Sequence, residues 1–112
     1  MIKLTVLVKR NPALSVEDFH EQWRAHGRMI ADEPVFHRYI RRYEQHHRVL
    51  DDYRNGDRYD GMAVQWFDSY RDFLALLDTD EYRTKMAPDE ERLLDLAGMA
   101  ILFTEEAEVF IP

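Results

Sequence analysis

The chain has 112 residues, a formal net charge of −7, 46% apolar and 33% charged residues, and no cysteine. A chain of this length buries roughly 65% of its unfolded surface and sustains one sizeable core, so a single domain over residues 1–112 is expected. No apolar run approaches the roughly eighteen residues of a membrane span; the lack of cysteine excludes disulfides, thiolate nucleophiles and cysteine-ligated metals, and it points to a reducing, cytoplasmic setting.

Ile2 to Val8 reads as a strand because it is short and rich in β-branched residues. Ile2, Leu4, Val6 and Val8 share one face, and Leu7 with Thr5 shares the other. Asn11-Pro12 ends the strand, and Ser15 then offers a helix N-cap with Glu17 and Asp18 in the first turn. Val16, Phe19, Trp23 and Ile30 form the apolar stripe of a helix running to about Asp32, where Glu33-Pro34 stops it. Residues 35–50 read as a long second strand, 51–58 as a loop around Asn55-Gly56-Asp57, and Tyr59 to Phe67 as a third strand. Helical patterning returns from Ser69 to Leu77, again near 80–85, and after Pro88, where it carries Leu93, Leu94 and Leu96. Met99 to Thr104 closes as a fourth strand. The order βαββαβ predicts an α+β, ferredoxin-like fold with a four-stranded antiparallel sheet. Its helices cover one sheet face only, whereas strands one, three and four carry apolar residues on both. A second copy of the chain is the simplest cover for the other face, so a homodimer is expected.

Residues 1–58 hold eleven Lys/Arg and nine Asp/Glu, whereas 59–112 hold four and thirteen. The acidic balance argues against nucleic-acid and membrane partners and leaves a small molecule as the expected one. His26 sits at the edge of the first helix's apolar stripe, beside Gly27, which leaves room for close approach. Burial would keep its imidazole neutral, the form a general base needs; the plainer reading is a core histidine satisfied by one hydrogen bond. Tyr39 shares strand parity with Arg41 and Tyr43, and it reads either as a phenol facing His26 across a cavity or as ordinary cross-strand packing. Trp23, Phe36 and Trp66 could wall that pocket or simply fill core. Arg41, in a cluster with Arg38, Arg42 and Arg48, could clamp a carboxylate at the rim or pair with the acidic half of the chain. The five histidines show no metal-binding spacing: His20 and His26 lie roughly 120° apart on a helix, and His46 and His47 alternate on a strand. Neither a metal nor an organic cofactor is expected.

Leu14-Ser15-Val16-Glu17-Asp18-Phe19, Trp23-Arg24-x-His26, Arg38-Tyr39, Tyr59-Asp60-Gly61, Trp66-Phe67-Asp68-Ser69, and Asp95 followed by Ile101-Leu102-Phe103-Thr104-Glu105-Glu106 occur in that order. As a set they resemble the EthD-like family of dimeric α/β barrel proteins over nearly the whole chain. The resemblance implies a ferredoxin-like protomer paired sheet to sheet. It also implies likeness to members of the 4-methylmuconolactone methylisomerase type, in which a helix histidine and a strand tyrosine are essential. Those positions correspond to His26 and Tyr39, as proton acceptor and hydrogen-bond donor. Many such chains follow the tyrosine with a Gln-Asn-His-like run where this one has Arg41-Arg42-Tyr43, so substrate identity does not transfer. The implied activity is a cofactor-independent isomerase or lyase, of dehydratase or cyclase type, acting on a small oxygenated cyclic or aromatic metabolite. The alternatives are a cofactor-independent monooxygenase and a non-catalytic dimeric accessory protein of an oxygenase system.

Overall fold

The computed structural model describes residues 1–49, 56 and 58–112. Strand β1 (Ile2–Val8) lies inside a four-stranded antiparallel sheet, paired with β3 (Gly61–Phe67) on one side and β4 (Ala100–Thr104) on the other. Strand β2 (Ile40–His47) flanks β3, giving the order β2-β3-β1-β4. The register sets Leu4 opposite Gln65 and Phe103, and Val6 opposite Ala63 and Ile101. Those residues share one face, and the helices pack there. Helix α1 (Val16–Asp32) contributes buried Phe19, Trp23, His26 and Ile30; α2 (Tyr70–Leu77) contributes Leu76, and α3 (Ala87–Leu93) contributes Leu93. This is the ferredoxin-like arrangement.

Serine side chains cap α1, as the sequence predicts, and also α2. Ser15 Oγ accepts from the Asp18 N–H at 3.1 Å, and Ser69 Oγ accepts from the Asp72 N–H at 3.2 Å. Each satisfies an N–H that the helix cannot satisfy itself.

The structure departs from the sequence expectation at three places that shape the site. Residues 36–38 form a 3₁₀ turn, not the start of a strand. Pro34 and Val35 lead into it, Glu33 accepts from the Val35 N–H at 3.0 Å, and the N–H groups of His37, Arg38 and Tyr39 bond three residues back. The turn drops Phe36 into the core, 1% exposed, against Ile30, Ile40 and Phe67. Strand β2 therefore starts at Ile40, with a register irregularity between Ile40 and Arg42, so simple alternation from Tyr39 to Tyr43 fails. The expected end of that strand at Leu50 and most of the 51–58 loop lie outside the described residues.

The helical stretch after Thr79 contains a π turn at Tyr82–Met86 that runs directly into α3. Its wider winding leaves Tyr82, Met86, Glu90 and Leu93 facing the same space under the sheet. Helix α3 ends at Leu93, before the expected Leu94 and Leu96. Backbone bonds from Asn11 N–H to Leu93 O and from Asp95 N–H to Lys9 O, both 2.8 Å, draw residues 93–95 into extended pairing with 9–11.

Phe36 is thus a core residue. Phe36→Ala should cost about 3–5 kcal/mol of unfolding free energy. Denaturant titration, with ligand affinity measured on the folded variant, checks that the loss falls on stability.

Candidate functional site

Between the sheet and the three helices lies a cavity of about 150 Å³. Leu4, Val6, Val8 and Ala63 form its floor, and Trp23, Leu76, Met86 and Leu93 form much of its roof. Against this apolar lining stand five polar side chains: His26, Tyr43, Gln65, Tyr82 and Glu90. A cavity of this size has room for about one six-membered ring.

His26 reaches the cavity because the spacing Phe19, Trp23, His26, Ile30 keeps it on the buried face of α1, where it is 6% exposed. Its Nδ1 lies 3.0 Å from Asp89 Oδ2 on α3. An ionised carboxylate can only accept, so Nδ1 carries the hydrogen and Nε2 is left with a free lone pair. Nε2 makes no hydrogen bond among the described residues. Burial holds the His26 pKa below its ordinary 6.5, with the hydrogen bond and charge of Asp89 opposing that shift. Burial pushes the Asp89 carboxyl up, but hydrogen bonds from His26 and Arg92 outweigh it and hold the group below its usual range. The result is a neutral imidazole with a fixed tautomer, oriented by a carboxylate.

Tyr43 projects from β2 into the same space. Burial pushes its hydroxyl pKa up to about 12, so it stays protonated. Its oxygen accepts from Gln45 Nε2 at 3.0 Å. On the opposite wall, Tyr82 donates to Glu90 Oε2 at 3.0 Å. Burial raises the Glu90 pKa, with the Tyr82 hydrogen bond working against it. Asp89 and Glu90 are consecutive residues with opposite shifts, because one turns toward His26 and Arg92 and the other into apolar surroundings.

The structure brings together two of the residues singled out in the sequence, His26 and Trp23. Tyr39 does not meet them. It follows the 3₁₀ turn, packs beside the Ile30–Phe36–Ile40 core, and is absent from the cavity lining. The phenol that shares the cavity with His26 is Tyr43. Phe36 and Arg41 line a separate cleft of about 210 Å³ on the far side of Tyr43, where Arg41 bonds Asp68 at 2.9 and 3.1 Å. Trp66 alternates onto the opposite sheet face, under the Lys3 and Arg42 side chains. Sequence reasoning missed Asp89, Glu90, Tyr82 and Gln45. The four-residue spacing of Tyr82, Met86 and Glu90 carried a signal for one face, but pairing Asp89 with His26 needs tertiary contact.

Two further histidines meet outside the cavity, with His20 Nδ1 2.6 Å from His47 Nδ1. No group of three or more His, Asp or Glu side chains is arranged to hold a metal among the described residues. No helix among them is long and apolar enough to cross a membrane.

The NMR titration midpoint of His26 should lie below 6.5, and Asp89→Asn should lower it further by removing the negative charge that favours the charged imidazole. Burial likewise lowers His20 and His47, the latter to about 4. An unfolded chain therefore binds more protons than the folded one between about pH 4 and 6.5, and these imidazoles make stability fall as pH drops through that window. Melting curves across it should show a shallower slope for His47→Gln than for the parent.

Curated protein sequences contain no match. Solved structures share the fold at low identity. A dimeric, ferredoxin-like protein from Bacteroides fragilis is 17% identical, with 94% of this chain and 95% of that one covered and a TM-score of 0.69. A dimeric ferredoxin-like protein from Thermobifida fusca is 18% identical over 92% and 88%, with a TM-score of 0.65. An antibiotic biosynthesis monooxygenase is 9% identical over 96% and 100%, with a TM-score of 0.58. The EthD domain model matches residues 11–97, a span that includes α1, β2, β3, α2 and α3 and hence His26, Tyr43 and Asp89, and the chain belongs to the EthD domain family.

Proposed function

We propose that the protein is a cofactor-independent isomerase or lyase acting on a small, single-ring oxygenated metabolite. The observation that carries this reading is the oriented, neutral His26 opening onto an apolar cavity of about 150 Å³. His26 Nε2 takes a proton from a carbon beside a carbonyl or lactone group. The electron pair moves onto the carbonyl oxygen, which Tyr43 stabilises by hydrogen-bond donation. Returning the proton at another carbon completes an isomerisation. Loss of a hydroxyl as water, with the proton returned from His26, completes a dehydration. The largely apolar lining of the cavity strengthens each of these interactions. Tyr43 here takes the role that the resemblance assigned to Tyr39, because it shares the cavity with His26. An open cavity in place of a filled core favours an enzyme over an accessory protein.

The monooxygenase reading draws on the fold shared with the antibiotic biosynthesis monooxygenase. In it the same base would deprotonate a phenolic ring that then reacts with dioxygen. Incubating the protein in D₂O with a panel of single-ring ketones, lactones and phenols separates the two. The proposed activity gives deuterium incorporation without oxygen consumption. His26→Ala should slow that exchange by roughly 10²–10⁴-fold and Tyr43→Phe by roughly 10²–10³-fold. Exchange unaffected by both changes would remove the assignment.

We further propose a cytoplasmic homodimer formed through the sheet face that bears Leu7, Met62, Trp66 and Leu102. Leu102 is 63% exposed in the single chain, and the dimeric state of the Bacteroides and Thermobifida proteins supports this assembly. Sedimentation should report about 27 kDa, twice the 13.5 kDa chain. Leu102→Asp should shift it toward monomer by placing a charge in the interface.

A further inference from the structure

We propose that Gln45 is the positioning residue that turns the Tyr43 hydroxyl hydrogen into the cavity and so makes the phenol a donor there. The proposal deepens the acid–base reading above and rests on it for its consequence. Its geometric basis is a chain of hydrogen bonds with only one consistent arrangement.

The chain starts at a backbone oxygen. Gln45 Nε2 lies 2.7 Å from the Trp23 carbonyl of α1. A carbonyl can only accept, so the nitrogen, not the oxygen, of the amide must face it. The same nitrogen has a second hydrogen, which it donates to the Tyr43 oxygen at 3.0 Å. The Tyr43 oxygen is thereby the acceptor in that bond, and its own hydrogen is directed elsewhere. The phenol lines the cavity, so that hydrogen is available to an oxygen bound there.

The other end of the amide is fixed as firmly. Gln45 Oε1 lies 3.0 Å from His47 Nε2. The oxygen accepts, so His47 carries its hydrogen on Nε2 and presents an unprotonated Nδ1. His20 Nδ1, 2.6 Å from that lone pair, must then be the donor. His47 packs on Trp23 at 4.5 Å between ring centroids, and His20 packs on Phe19 at 5.1 Å. The pair backs the amide, and the His47 hydrogen holds its oxygen end. Burial first, and then the neighbouring Arg24 charge, keep His47 neutral at physiological pH.

Gly27 permits the whole arrangement. A Cβ there would lie 2.7 Å from Gln45 Nε2 and 3.5 Å from Tyr43 Cε1. The amide reaches the α1 backbone only because position 27 has no side chain.

Two measurements test the proposal. Long-range ¹⁵N–¹H spectra report histidine tautomers directly; hydrogen on Nε2 of His47 and on Nδ1 of His20 is expected, and the reverse tautomer at His47 overturns the arrangement. The second uses 4-nitrophenolate, a one-ring oxyanion with a visible absorption band, titrated into the dimer at pH 8. Gln45→Met should weaken binding about tenfold, matching Tyr43→Phe. The double variant should bind no more weakly than Tyr43→Phe alone, since Gln45 acts only through the phenol. Gly27→Ala, which leaves every polar group in place, should reproduce the Gln45→Met loss and guards against misfolding of the first variant. Binding by Gln45→Met and Gly27→Ala at parental strength, with Tyr43→Phe weakened, overturns the positioning role while leaving the cavity reading intact. A parent protein that takes up no 4-nitrophenolate overturns both.

Discussion

The close approach of helix α1 to strand β2 at Gly27 is the contact on which the candidate site depends. A methyl group at that position would collide with the Gln45 amide, and a helix held farther out would move Trp23 and His26 off the cavity wall. The approach exchanges helix propensity, about 1 kcal/mol lost for an interior glycine, for a hydrogen bond between a strand side chain and the helix backbone. It also explains why a polar residue can stand among apolar ones on the inner sheet face: Gln45 uses both ends of its amide, and a buried amide is tolerated when it is satisfied.

Electrostatically, the cavity is built from short polar side chains with opposed environments. His26 is buried and pushed toward neutrality, yet Asp89 fixes which nitrogen carries the hydrogen. Glu90, one residue farther along α3, points into the apolar lining and is pushed toward its protonated form. The π turn at Tyr82–Met86 leaves Tyr82 beside Glu90, and the hydrogen bond it donates moderates that rise. A proton acceptor, a phenol and a carboxyl thus surround a volume suited to one ring. That combination is the physical content of the proposed acid–base activity.

The two sheet faces divide the labour. Alternation puts Leu4, Val6, Ala63 and Phe67 under the helices, and Leu7, Met62, Trp66 and Leu102 on the other side. On that second face, Lys3 and Arg42 lie over the Trp66 ring. The proposed dimer would use this face and leave the cavity within each protomer.

Periodicity and capping were enough to determine the order of elements. The α1 stripe, the Ser15 cap and the β-branched runs are local signals, and local hydrogen bonding obeys them. His26 was legible for the same reason: its spacing from Trp23 and Phe19 places it on the buried face of one helix. Its partner was not, because Asp89 is 63 positions away and no periodicity links two elements. Tyr39 and Tyr43 look equivalent as residues of one strand. Only the burial of Phe36 in a 3₁₀ turn and the irregularity after Ile40 separate them, and both involve residues packed in the core, which no strand periodicity records. Gly27 could be read in the sequence as a place for something to come close; the folded chain decided that Gln45 was what came.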